Sequence, residues 1–320
     1  MVKTELLDVV ALGSALVEFT PRRRHIRIGA ATSYVKYPSG ATLISVLCLS
    51  KLGVRVGLIS KVGDDEFGEW ILSVLDRMGV DTSYCKVADG CRTGLSFCQV
   101  YENGRKDYIL YRFPEYSRPE FALTPEDIDP HYIKETRIFD FSEASVRLHP
   151  VREAAFKAVE IARECGKKVF YEVNLRRGAW VEKVERIREV QRQTIELADV
   201  ILLNTEEAKF ISNCNNLKDA VSRLLSFGPK VVTVTMGDKG CMVATTEERF
   251  EIPAYKVQVV YDVGAGDVFH AGFLAGYLSG WSIEKVGKFA NATAAIKIMK
   301  PGMLSAFPTM SEVEDFMREA

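Results

Sequence analysis

From Ile138 onward the chain repeats one rhythm that leaves few folds open: a short apolar run, a helical stretch, then another apolar run. Residues 137–141, 168–173, 199–203 and 230–235 read as strands. Between them, 150–165 reads as an amphipathic helix closed by Gly166, 181–197 as a second helix, and 217–227 as a third stopped by Gly228-Pro229. Strands that are apolar along their whole length are buried on both faces, and strands separated by helices run parallel. The pattern therefore predicts an α/β chain with a mostly parallel sheet covered on both sides. Two further helices, 267–278 and 283–299, follow the last of these strands, the second ending at Pro301-Gly302.

The first third breaks the rhythm. Residues 93–101 and 106–112 are strand-like runs flanking Glu102-Asn103-Gly104-Arg105, and Asn-Gly between two such runs is a hairpin signal. Residues 24–37 alternate weakly and read as extended. These pieces do not belong to a parallel sheet and predict a small antiparallel flap, with lid segments at about 17–37 and 93–114, on one domain spanning 1–320. The apolar run from Leu6 to Leu16 is interrupted by Asp8 and closed by Glu18. It reads as a first strand and not as a signal peptide, and no run is long enough to span a membrane.

With 42 Lys and Arg against 43 Asp and Glu, the net charge of −1 implies no nucleic-acid partner. Seven scattered cysteines without a C-x-x-C pair argue against a disulfide framework or a zinc site and suit a reducing cytoplasm. The four histidines have no metal-ligand spacing.

Chemistry concentrates at four places. Gly264-Ala265-Gly266-Asp267 leads into an apolar helix, so small residues let a ligand approach a helix start that offers unpaired N–H groups. Asp267 beside them could take a proton from an attacking hydroxyl. Neither G-x-G-x-x-G after the first strand nor G-x-x-x-x-G-K-[ST] is present, so phosphate handling rests on other elements. Asn204-Thr205-Glu206-Glu207 follows a strand end, where ligands gather in parallel sheets, and equally fits an N-cap with its capping-box partner. Thr235 to Gly240 either wraps a nucleotide phosphate or makes a plain glycine hairpin turn. Glu172 to Trp180 closes another strand, and Arg176 there either steers a phosphate or carboxylate or makes a surface ion pair.

Taken together these residues resemble the PfkB, or ribokinase-like, family of carbohydrate kinases. The Gly-Ala-Gly-Asp, Asn-x-x-Glu and Thr-x-Gly-x-x-Gly elements stand in that family's order, and Ser39-Gly40-Ala41, Lys61 to Gly68 and Gly79 to Thr82 are similar to its usual wording. The likeness covers about residues 8–310. It implies a ribokinase-like three-layer α/β/α fold with a mostly parallel central sheet and a small antiparallel β lid. By the same resemblance Asp267 is the catalytic base, and Gly264, Ala265 and Gly266 form the anion hole. Asn204 and Glu207 would organise Mg2+ and phosphates, directly or through water. Thr235, Gly237, Gly240 and Asn291 would line ATP. The resemblance also implies a cytoplasmic enzyme that pairs as a homodimer through the lid.

Departures fall on the acceptor side. Tyr261, Asp262 and Val263 stand where the family carries an acid and two threonines, which leaves monovalent-cation dependence open. Ser39 replaces a glycine, Ile44 stands where a sugar-binding asparagine is frequent, and Glu18 occupies the usual substrate aspartate position. Tyr111-Arg112 and residues 123–127 are similar to the 2-keto-3-deoxygluconate kinase and fructokinase branch. That branch implies a six-carbon sugar or sugar acid contacted by Glu18, Gly40, Arg112, Arg176 and Asp267. A nucleoside or inositol kinase, or a non-catalytic sugar-binding relative, stays open as an alternative. Arg22-Arg23-Arg24 reads as a solvated cluster on the lid, and His270 as a helix-packing residue.

Overall fold

The computed structural model describes residues 6–23, 25–101, 106–111 and 122–319. Arg24, the Asn103-Gly104 turn and Arg112 lie outside them. The apolar run at the N-terminus, expected as one strand, is two: β1 (Leu7–Leu12) and β2 (Leu16–Pro21). The break comes at Gly13, where a Cβ would stand 2.0 Å from the Thr42 hydroxyl. Hydropathy runs through this point unchanged, so the change of sheet was hidden. A 3-10 turn at Ile28–Ala30 then precedes β3 (Tyr34–Ser39), so only the end of the 24–37 stretch is strand.

Next come α1 (Ala41–Lys51), β4 (Val56–Gly63), α2 (Glu66–Arg77) and β5 (Cys85–Ala88). The hairpin strands are β6 (Leu95–Val100) and β7 (Lys106–Tyr111), antiparallel with Leu95 opposite Tyr111 and Val100 opposite Lys106. The alternating half begins with α3 (Pro130–Lys134) and β8 (Thr136–Ser142). It continues through α4 (Val151–Glu164), β9 (Lys168–Glu172), α5 (Val184–Leu197), β10 (Val200–Asn204), α6 (Thr205–Ser212), α7 (Leu217–Leu225) and β11 (Val231–Thr235). The chain closes with β12 (Cys241–Ala244), β13 (Arg249–Ile252), α8 (Ala265–Leu278), α9 (Ile283–Ile298) and α10 (Met310–Glu319).

Nine strands form one sheet in the order β13-β12-β11-β10-β9-β8-β1-β4-β5, parallel from β11 to β5 with an antiparallel edge at β12 and β13. The side-chain period of two sends Val200 and Leu202 of β10 into one core and Ile201 and Leu203 into the other. Helices α1, α8 and α9 cover the first face; α4 to α7 cover the second. Each buried aliphatic side chain contributes about 1.5–3 kcal/mol, and central strands buried on both faces need this apolar run. A smaller sheet, β3-β2-β6-β7, is antiparallel except for the central β2–β6 pairing.

Register positions the site. Parallel pairing sets Ser142 and Leu202 opposite Glu172, and Asn204 opposite Thr235. The C-terminal ends of β8, β9, β10 and β11 therefore present their polar residues along one edge, facing the start of α8.

Candidate active site

Helix α8 begins two residues earlier than the sequence suggests. Gly264 is its N-cap at φ +78°, and an added Cβ there would stand 3.1 Å from the Met303 sulfur. Asp267 thus falls in the first turn, where N–H groups lack partners within the helix and the dipole favours a negative charge; the Ala265 N–H turns back to the Asp262 carbonyl at 3.3 Å. Around Gly266 an added Cβ would meet nothing within 4 Å, so the turn faces open space on that side.

The Asp267 carboxylate is 8% exposed and accepts a hydrogen bond from the Asn174 amide at 2.9 Å. Burial raises its pKa against the opposing charge of Arg176, so the group is a stronger base than a solvated aspartate. Behind it lies Glu172, whose acidity burial also weakens, and whose Oε2 has no hydrogen-bond partner among the described residues. His270 packs against Asp140 at 2.9 Å, both essentially buried. Burial alone would favour neutral imidazole, but Asp140 and Glu172 outweigh it and lift the pKa to about 9. As the sequence suggested, His270 is a packing residue, held as part of an ion pair.

Two spaces meet at Asp267. A chamber of about 140 Å³ lies under the smaller sheet and is lined by Glu18, Gly40, Ile44, Tyr108, Asn174 and Arg176. Gly40 sits at φ +109°, where a Cβ would be 2.4 Å from the Ser14 carbonyl oxygen, so only glycine fits. Glu18 is 3% exposed and accepts from the Thr20 and Ser39 hydroxyls at 3.4 Å. Burial pushes its carboxyl up to about 7. Arg147 also lines this chamber, but its guanidinium forks onto Glu143, an ion pair the sequence did not reveal.

On the other side a polar trough holds Asn204, Glu207, Thr235 and Arg176 beside Gly264 to Asp267. Asn204 and Glu207 make the capping box of α6. Asn204 Oδ1 accepts from the Glu206 and Glu207 N–H groups, and Glu207 accepts from the Asn204 and Leu175 N–H groups at 2.8 Å. The capping pair also lines the trough. Burial raises the Glu207 pKa against these bonds. The trough opens into an apolar cleft of about 870 Å³ lined by Gly237, Gly240, Tyr255, Val257, Phe269 and Asn291. Thr235 to Gly240 is indeed a turn between antiparallel strands, yet it forms one wall of that cleft. Gly240, at φ +97°, leaves no room for a Cβ beside the Ile252 carbonyl oxygen at 2.0 Å. Asn291 donates to the Ile252 and Pro253 carbonyls and so braces the same wall.

The structure therefore gathers Asp267, Gly264, Ala265, Gly266, Asn204, Glu207, Thr235 and Arg176 around one trough, with Glu18 and Gly40 at one end and Gly237, Gly240 and Asn291 at the other. Arg112 lies outside the described residues. Sequence reasoning missed Asn174, although Glu-x-Asn-x-Arg at a strand end was the available signal. It also missed Lys106, whose ammonium reaches from β7 to the Asp262 carbonyl at 3.1 Å and carboxylate at 2.9 Å.

A buried carboxylate between a small chamber and a wide apolar cleft, in the first turn of α8, defines a phosphotransferase that acts on an alcohol. The chain belongs to the pfkB family of carbohydrate kinases, whose pattern matches residues 6–310. It is 31% identical to fructokinase-1 of Oryza sativa over 98% of both chains. Among solved structures it resembles a candidate ribokinase II from E. coli in complex with ATP and Mg2+, with a TM-score of 0.90 and 26% identity, covering 98% of this chain and 100% of that one. It likewise resembles an uncharacterized sugar kinase from Pyrococcus horikoshii in complex with ATP, with a TM-score of 0.84 and 27% identity over 97% and 99% of the two chains.

Proposed function

We propose that the protein transfers the γ-phosphoryl group of ATP to a hydroxyl of a neutral six-carbon sugar of the fructose type. The observation that carries this is the position of Asp267 where chamber and cleft meet. A hydroxyl seated beside Glu18 and Gly40 faces the carboxylate on one side and the Gly264–Gly266 turn on the other. Asp267 accepts the hydroxyl proton as the oxygen attacks, and Asn174 holds the carboxylate on its axis. Backbone N–H groups at the head of α8 meet charge on the moving phosphoryl group. Transfer of this kind depends on positioning and charge neutralisation more than on a strong nucleophile.

The residues present fit the nucleotide and its metal. Open space at Gly266, the Gly237–Gly240 turn and the apolar cleft suit phosphates followed by an adenine. Each Asn204 and Glu207 side-chain oxygen that faces this edge already accepts a backbone N–H, which favours holding Mg2+ through water. When bound, the ion neutralises phosphate charge. The smaller sheet would act as a lid that excludes water.

Charge in the chamber favours a neutral acceptor over a sugar acid. Glu18 and Asp267 are acids, Arg147 is matched by Glu143, and Arg176, which lines both chamber and trough, acts on Asp267. The fructokinase likeness supports the same choice. A screen of ADP release with fructose, 2-keto-3-deoxygluconate, ribose, a nucleoside and inositol tests it. Fructose is expected to give the highest kcat/KM; a sugar acid or nucleoside ahead by tenfold or more would overturn the choice of acceptor.

The protein is further proposed to pair through the outer face of the smaller sheet, where Ile109 and Tyr111 of edge strand β7 are 44% and 48% exposed. Light scattering should give a dimer mass; a monomer would contradict it. Seven unpaired cysteines favour a reducing compartment such as the cytoplasm.

A further inference from the structure

Lys297 is the one lysine that is fully buried among the described residues, at 0% exposed, near the end of α9 between Ile296 and Ile298. Its ammonium donates to the Tyr261 carbonyl oxygen at 2.9 Å and to the Val263 carbonyl oxygen, and lies 4.6 Å from the centre of the Tyr261 ring. The same loop is stitched to α9 a second time, by the Val260 and Tyr261 N–H groups donating to the Ile298 carbonyl at 2.7 and 3.0 Å. Between the two carbonyls, Asp262 is gripped from the other side by Lys106.

A buried ammonium is costly unless its three N–H donors are met. Two carbonyl oxygens and an aromatic face meet them here. Burial and Lys106 together hold the Lys297 pKa down to about 8 against Asp262, Asp267 and Glu18, so the group is still mostly charged at neutral pH. The consequence for the site comes from peptide geometry. In a trans peptide the C=O and N–H point in opposite directions, so a Val263 carbonyl turned onto Lys297 turns the Gly264 N–H away from it. Gly264 lines both the chamber and the trough, and Ala265 and Gly266 follow it. Paired inward-facing carbonyls are also the ligands that bare potassium or ammonium ions take.

We propose that Lys297 is a positioning residue whose ammonium serves as a built-in monovalent cation: it holds the Tyr261–Gly264 loop with its donors toward the phosphoryl site, and the enzyme needs no free monovalent cation. The proposal rests on Gly264–Asp267 being the phosphoryl site.

The test has two arms. In the first, hydrogen exchange of residues 259–268 is followed by mass spectrometry in wild type, Lys297→Ala and Lys297→Met, without nucleotide or sugar. The loop should exchange roughly tenfold faster in both variants. Methylammonium chloride at high concentration should restore protection in Lys297→Ala, which has space for it, and not in Lys297→Met. In the second, ADP release with ATP, Mg2+ and fructose is measured in sodium, potassium and tetramethylammonium chloride. Wild type should turn over equally in all three, within about twofold. Lys297→Ala should lose kcat by roughly a hundredfold with KM little changed, and regain about tenfold with methylammonium or potassium. Stimulation of wild type by potassium of tenfold or more overturns the proposal, as does a Lys297 variant whose loop stays as protected as wild type. If neither variant folds, the cation series on wild type decides. Absence of fructose turnover in wild type counts against the choice of acceptor alone, because the exchange arm still reads Lys297.

Discussion

The Asn174 amide nitrogen lies 2.9 Å from Asp267 Oδ1 and 3.3 Å from Glu172 Oε1, bridging the two carboxylates from the end of β9. Asn174 holds this place with φ at +32°, a conformation that asparagine tolerates better than most residues. The bond stabilises the ionised form of Asp267 and aims it. Asn174→Ala should lower kcat by roughly 10–100-fold with KM within about twofold, and move the acid limb of the pH–rate profile upward. An unchanged acid limb would show that the amide only packs.

Glu207 caps α6, and substitution can separate that role from the one proposed for it at the metal. Glu207→Ala strands the Asn204 and Leu175 N–H groups and should cost about 1–3 kcal/mol of stability, read as a lower Tm. Glu207→Gln keeps one of the two acceptors and should lower Tm by less than the alanine. It should still raise the Mg2+ concentration for half-maximal turnover by roughly tenfold. Unchanged Mg2+ dependence would leave Glu207 as a helix cap and nothing more.

Stability should fall as pH rises from about 5 to 9. Burial raises Glu18 to about 7, so the folded chain holds a proton there that the unfolded chain releases from about 4.5 upward; stability declines across that window. Burial raises Glu172 in the same direction. His270 adds to it: with its pKa raised to about 9, its ion-pair contribution is complete below 6.5 and is lost as pH passes 9. Glu18→Gln should flatten the decline between 4.5 and 7, read as Tm against pH. A wild type more stable at pH 9 than at pH 5.5 would contradict these assignments.

His270→Leu removes the partner of the buried Asp140 carboxylate and should cost about 3–5 kcal/mol. The folded fraction should keep most of its kcat. A catalytic collapse at unchanged Tm would instead make His270 a participant in the chemistry.

Much of the site was legible because its residues sit at strand ends or in tight turns, where residue type is constrained locally. Gly264 and Gly240 announce positive φ, Asn204 and Glu207 announce a helix cap, and the apolar strands announce a sheet that brings these ends together. What stayed hidden depends on distant pairs. Asn174 meets Asp267 across 93 residues, and Lys297 meets Tyr261 across 36. A lysine between two isoleucines reads only as a break in an apolar helix until the carbonyls beside it are known. The division of residues 6–16 between two sheets was hidden for a related reason: burial continues through the change of sheet, so the apolar run shows no seam.

Asp267→Asn is the most direct test of the site, since the amide keeps the shape and removes the base. Turnover with ATP, Mg2+ and the best acceptor should be measured alongside binding of ATP by calorimetry. Nucleotide affinity within about threefold of wild type and a kcat lower by roughly a thousandfold or more are expected. A kcat within tenfold of wild type would contradict Asp267 as the group that takes the proton.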